Sequence, residues 1–481
     1  MGGGLAGLAA GYELVKAGKK VIVIEKWGQI GGLARTIEIN GFRFDTGPHR
    51  WYTKSKMVNR WMLNILGTDV VQVPRLTRIY FDKKFFFYPI RLMNALLGIG
   101  PGKALMAILD YLSARVKVRL FKPNLITMED GYISQFGKTL YEIFFKRYSE
   151  KLWGQECTKI SIDWVGQRTR GLNILTIIKD ALIKNKNIVS LTDEFSYPKR
   201  GIGILSEKLA QAIKRHGGKI YTNSEILTIN HNEDKITSIT AKRNGQEFVI
   251  DGEYFISSIP LNDLVKRLQP KADRKINHLS QKLKYRDELL VALFINKSHI
   301  TSDTWIYVHP KEIPFMRVME MDNWYDQLSP SKTTTLVFEI ACNEGDNMWQ
   351  KDDKEVIDLV ADSYIREFGF IDKDNIIGSY VHRVTKEYPV YHLGYKESVE
   401  SIKKYFKKFT NLQLVGRNGT FRYNNMDHSI EMGLYAAWNI KEGSDKYDID
   451  SVNIEREYLE EKRIENVEDE LLDKPARTQS K

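Results

Sequence analysis

Apolar positions recur at helical spacing at Leu5, Leu8, Ala9, Tyr12 and Val15, which predicts a helix over 5–17 that Gly18 ends. The unbroken run Val21-Ile22-Val23-Ile24 then reads as a buried strand closed by Glu25. A second helix is expected after Gly201-Ile202-Gly203, with Leu205, Leu209 and Ile213 on one face and Gly217-Gly218 at its end. Strands should start at Lys219 and at Ile226, and Phe255-Ile256-Ser257-Ser258-Ile259-Pro260 and Leu412 to Val415 read as further strands. A helix to Ile440 should follow the last of these. The apolar run at 289–294 and the stretch Thr335-Leu336-Val337-Phe338-Glu339 predict strands in a separate α+β region, and residues 76 to 194 read as mainly helical.

The helix start carries the first chemistry. Gly2-Gly3-Gly4-Leu5-Ala6-Gly7 is a G-x-G-x-x-G leading into the first helix. Gly2 allows a tight turn, Gly4 leaves room for a pyrophosphate, and Gly7 lets the helix pack closely on a sheet. Leu5 and Ala6 open the helix, whose free N–H groups and partial positive charge suit phosphate. Glu25 lies 21 residues after Gly4, near the spacing of an acid that accepts hydrogen bonds from ribose hydroxyls. Such a motif follows a strand, and here only Met1 precedes it. A chain truncated at its start, or a start placed too late, is therefore expected. The missing piece would be about five or six residues, and a protein beginning at Met1 is expected to bind its dinucleotide poorly.

Two further segments narrow the choice of dinucleotide. Gly31-Gly32-Leu33-Ala34-Arg35-Thr36 is followed by Phe42-Arg43-Phe44-Asp45-Thr46-Gly47-Pro48-His49. These resemble the second glycine motif and the F-D-x-G-x-H segment of the FAD-dependent superfamily of amine oxidases, protoporphyrinogen oxidases and UDP-galactopyranose mutases. The resemblance implies that Gly32, Leu33, Ala34, Arg35 and Gly47 pass along the cofactor, with His49 near the isoalloxazine; a purely structural histidine there remains the alternative. Near the far end, Gly416-Arg417-Asn418-Gly419 and the segment 421–429, including Met426 and Asp427, resemble the piece that closes over FAD. The backbone of Ile226 would meet the adenine. The implied architecture is α/β: a discontinuous Rossmann-like FAD-binding domain of three-layer β/β/α type from residues 1–75, 195–270 and 405–445, its first strand missing. A helical substrate segment at 76–194, an α+β substrate domain at 271–404 and a charged tail at 446–481 complete it.

The resemblance sharpens on the substrate side. Trp153-Gly154, Ile160-Ser161, Asp163-Trp164 and Gly166-Gln167-Arg168, then Pro314-Phe315-Met316-Arg317, Glu387-Tyr388-Pro389 and Arg422-Tyr423-Asn424-Asn425-Met426-Asp427, look like segments of the mutases and related proteins. In the mutases the residues matching Arg168, Arg317, Tyr388 and Tyr423 hold a sugar-nucleotide pyrophosphate. Arginine presents a planar fork to phosphate, and tyrosine an apolar face with one hydroxyl. Ordinary ion-pair arginines at these positions are the competing reading.

Composition bounds the rest. At 481 residues the chain is long enough for two or three domains. The net charge of +11 suits an anionic ligand or a membrane surface as well as a solvated exterior. With no zinc-finger spacing and no basic block interleaved with aromatics, nucleic acid is not an expected partner. Only Cys157 and Cys342 are present, so no disulfide framework or cysteine metal site is expected, and a reducing cytoplasm is the default. No cysteine lies near the C-terminal flavin segment, so FAD would be non-covalent. The most apolar stretch, Leu92 to Leu112, is broken by Pro101, Gly102, Lys103 and Asp110. It reads as a helical hairpin lining a pocket or touching a bilayer surface rather than spanning it. The leading expectation is an FAD-dependent oxidoreductase whose flavin N5 accepts a hydride from a small-molecule substrate. The alternatives are a mutase-like isomerase acting on a nucleotide sugar and a non-catalytic flavoprotein.

Overall fold

The structure, a computed structural model, describes residues 1–90, 92–168 and 194–453, with the backbone alone at 92–93 and 166–168. The helix Leu5–Lys16 and the strand Ile22–Ile24 form where the apolar spacing requires. Ile22–Ile24 runs parallel to Lys219–Tyr221, and Phe255–Ser257 runs parallel to Leu412–Leu414. Met1 and Gly2 tie the two pairs together. The Met1 amino group donates to the Ile256 carbonyl at 2.8 Å, Ser258 N–H donates to the Met1 carbonyl at 2.9 Å, and Gly2 N–H donates to the Ile24 carbonyl at 2.9 Å.

On one side of these pairs pack Leu5–Lys16, Gly203–Arg215 and Met426–Glu442, through a core that includes Leu8, Val23, Leu209, Ile213 and Ile430. On the other lies a four-stranded sheet ordered Gln246–Asp251, Ile236–Arg243, Ser224–His231, Leu268–Gln269. Its Ile229 and Ile239 share a core with Ile24, Phe255 and Leu412. The expected three-layer α/β fold is therefore present, built from segments far apart in the chain.

The second body is a seven-stranded sheet ordered Ile376–Pro389, Tyr285–Ile295, Thr334–Cys342, Arg317–Glu320, Trp305–Val308, Thr77–Phe81, Lys84–Phe87. Tyr285–Ile295 is buried along nearly its whole length, which explains its unbroken apolar run. The helix Asp353–Phe368 covers one face through Val356, Val360 and Tyr364. The stretch read as mainly helical differs at its start, and a strand follows it. Thr77–Phe87 is a hairpin that joins the sheet through a parallel pairing with Trp305–Val308, and Glu194–Pro198 pairs antiparallel with Val70–Pro74. Between them Gly100 and Pro101 divide the apolar stretch into helices Leu92–Ile99 and Pro101–Phe121. Among the described residues no helix is long and apolar enough to cross a membrane.

Candidate functional site

Between the two bodies runs a cavity of about 980 Å³. It is lined by Glu25 and Ile226, by the glycine turns, and by Gly47, His49, Arg317, Tyr388 and Tyr423. This volume lies at the upper end of the ~300–1,000 Å³ usual for ligand clefts, as an extended dinucleotide requires.

The Glu25 carboxylate accepts from Gly3 N–H at 2.6 Å and from Trp27 N–H at 2.9 Å. A carboxylate has about four acceptor sites, so capacity remains for ribose hydroxyls. Gly4 caps the first helix without a side-chain hydrogen bond, and Leu5 and Ala6 face the same space. The cradle is as tight as the glycines imply. A Cβ at Gly32, where φ is +61°, would lie 2.9 Å from Gly4 Cα. Gly7 does not line the cavity: a Cβ there would meet the Gly2 carbonyl oxygen at 2.2 Å, so its lack of a side chain serves the turn itself. Leu33, Ala34 and Arg35 continue the wall. Arg35 is buried, donates to His382 Nε2 at 3.1 Å, and its Nε has no partner. Gly416, Arg417, Met426 and Asp427 close the opposite side. Met426 and Asp427 begin the helix Met426–Glu442, so a second helix N-terminus faces the cavity. A backbone cradle, helix starts turned inward and a buried arginine with an unpartnered donor fit a dinucleotide pyrophosphate.

Beyond Gly47 the character changes. His49 stays neutral, its pKa lowered to about 3 by burial and by Arg417, and its Nδ1 lies 3.0 Å from the Gly47 carbonyl. Arg317 forms a buried ion pair with Glu339, directly opposite it across the sheet, and reaches the Tyr388 hydroxyl at 3.5 Å. Arg417 donates to a Glu387 carboxylate oxygen at 3.1 Å and to the Asn424 carbonyl at 2.9 Å. It also lies over the Tyr423 ring at 4.8 Å. Tyr388 and Tyr423 stack at 5.9 Å. Arg168 falls at the edge of a stretch whose side chains lie outside the described residues.

The sequence reading missed a group of buried carboxylates. Glu288, Glu339 and Glu387 are each at most 4% exposed and crowd one another around Arg317 and Arg417. Burial, reinforced by Glu339, pushes Glu387 up to about 7 despite the neighbouring Arg417. Burial likewise raises Glu288, with Glu339 and Glu387 adding to the effect. Glu387 Oε2 and Glu288 Oε1 have no hydrogen-bond partner. A signal was present: Glu288 and Glu339 border apolar runs that become buried strands, where an ionisable residue needs a reason.

Comparison with known proteins agrees with this layout. Residues 5–441 match the model of the family described as flavin containing amine oxidoreductase. A reduced UDP-galactopyranose mutase superposes with a TM-score of 0.80 at 18% identity, covering 94% of this chain and 95% of that one. Wild-type putrescine oxidase bound to putrescine superposes at 0.60 and 16% identity, over 91% and 97% of the two chains. At these identities the likeness is one of fold. The carotenoid 3,4-desaturase of Haloarcula japonica is 44% identical over 61 residues, 13% of this chain and 12% of that protein. The chain spans about a tenth of the length of the curated relatives it matches. With the family model extending over most of its length, the chain belongs to the flavin containing amine oxidoreductase family.

Proposed function

We propose that this protein is an FAD-dependent oxidoreductase that oxidises a small molecule held beneath the seven-stranded sheet. The observation that carries this reading is one continuous cavity joining a phosphate cradle to a buried cluster of titratable groups. Non-covalently bound FAD would supply the two-electron acceptor, taking a hydride at N5. Glu25 would hold the ribose, the Ile226 backbone would meet the adenine, and the glycine turns with Arg35 and Met426 would hold the pyrophosphate. On the substrate side His49, Tyr388 and Tyr423 offer apolar faces with few donors, which orient a ligand without binding it by charge. Glu387, held near neutrality by burial, is suited to take the proton released when a substrate loses hydride.

A second reading is a flavin-dependent isomerase acting on a nucleotide sugar. It is favoured by the convergence of Arg317, Tyr388 and Tyr423 in the lining of the cavity. Electrostatics weighs against it. Arg317 and Arg417 each face a buried carboxylate, so the cations a diphosphate needs are already compensated. The test is anaerobic reconstitution with FAD, followed by a panel of amines and other reduced small molecules while flavin absorbance is recorded. Bleaching coupled to product formation supports the oxidoreductase. Ring interconversion of a UDP-sugar by the reduced protein, with no substrate bleaching the oxidised flavin, would replace it by the isomerase. A protein that takes up no flavin would overturn both.

A further inference from the structure

The helix Pro101–Phe121 shows its apolar residues to solvent. Leu105, Leu109, Leu112, Val116 and Leu120 follow helical spacing along one stripe and are between 51% and 68% exposed. Phe121, at the end of the helix, is 75% exposed. The opposite face carries Ala107 and Tyr111, which are buried and fasten the helix to the body of the protein. At roughly 100° per residue, Lys117 falls along one border of the apolar stripe and Arg115 and Arg119 along the other. All three are exposed. The one acidic residue of the helix, Asp110, is turned inward and accepts from Thr139 N–H at 3.0 Å and from its hydroxyl at 2.6 Å. The exposed surface of this helix therefore combines a leucine-rich ridge with cations on both margins.

We infer that Pro101–Phe121 docks the protein on an anionic lipid bilayer, lying in the plane of the interface with its leucine ridge among the acyl chains. The residue pattern is that of an interfacial helix: the apolar stripe enters the hydrocarbon boundary and flanking Lys and Arg remain at headgroup level. Charge selects the occupant. A second copy seated on the same ridge would bring two basic margins together, whereas an anionic headgroup layer complements them. The inference is independent of the cavity's chemistry.

The test is co-sedimentation of the full chain with vesicles of phosphatidylcholine alone and of phosphatidylcholine mixed with phosphatidylglycerol. Binding is expected to be at least about tenfold stronger to the anionic vesicles and to weaken with salt. The triple variant Leu109→Gln, Leu112→Gln, Val116→Gln retains the charge and should lose binding to both. The variant Arg115→Gln, Lys117→Gln, Arg119→Gln retains the ridge and should fall to the phosphatidylcholine level. These positions are exposed, so thermal midpoints should match the parent and verify folding. The inference is overturned if the parent stays in the supernatant with anionic vesicles, or if both variants bind as it does. It is equally overturned if sedimentation velocity finds a dimer that the leucine variant dissolves and no lipid binding.

Discussion

Glu387 has one carboxylate oxygen on Arg417 and the other without a partner, in a setting that burial makes hostile to charge. Its native pKa of about 7 lies above the ordinary 4.5, so the folded state binds its proton more tightly than the unfolded chain. That contribution to stability is complete below the unfolded value and is lost as pH rises through about 7. In the proposed oxidation the same titration would govern proton acceptance. Flavin reduction by substrate should therefore accelerate as pH passes through 7, and Glu387→Gln should give a slower and flatter profile in stopped-flow measurements. Arg317 makes a different prediction. Removing it strands Glu339 in a site with no exposure, so Arg317→Leu should cost about 3–5 kcal/mol in denaturant unfolding. Arg317→Leu with Glu339→Leu should recover most of that loss. A double variant no more stable than the single one would show that the ion pair is not what the arginine provides.

At the level of elements, the site depends on two helices meeting almost backbone to backbone. Gly433, within Met426–Glu442, faces Leu5–Lys16 so closely that a Cβ would lie 2.3 Å from the Ala6 carbonyl oxygen. Ala6 itself lines the cavity, so any separation of the helices widens the phosphate cradle. Gly433→Ala should lower stability by about 1–3 kcal/mol and weaken flavin binding, read by calorimetry and by flavin titration. Gly102→Ala is the control. Nothing lies within 4 Å of its added methyl, so it should leave both readouts unchanged or raise stability slightly.

On the scale of the whole molecule, the walls of the cavity come from residues as far apart as Gly2 and Asn453. A ligand filling it binds the folded chain and not the unfolded one, so it stabilises by mass action. At a free concentration of a hundred times Kd that amounts to about 2.7 kcal/mol. The thermal midpoint should rise steadily with added FAD, and the segments around Gly2 and Asn453 should become harder to proteolyse. A midpoint indifferent to FAD would count against the cavity as the flavin site.

The glycine turns, the helix after them and the acid at the end of the next strand were legible because each depends on local geometry. A turn needs glycine, a helix needs its apolar spacing, and both are written within about twenty residues. The fold class followed, since several such local units line one cavity. The hairpin Thr77–Phe87 was missed because its place is decided by pairing with Trp305–Val308, far along the chain. The carboxylate cluster was missed because its members meet through strand pairing and packing rather than within one local motif. Glu339 lies opposite Arg317 through strand register, and Glu387 meets Arg417 through the packing of separate bodies. The sequence alone determined which cofactor class the chain is built to cradle. Only the tertiary structure decided which charges share the cavity and which helix face is left to solvent, because burial and register are set by strand pairing and packing between segments beyond any one local motif.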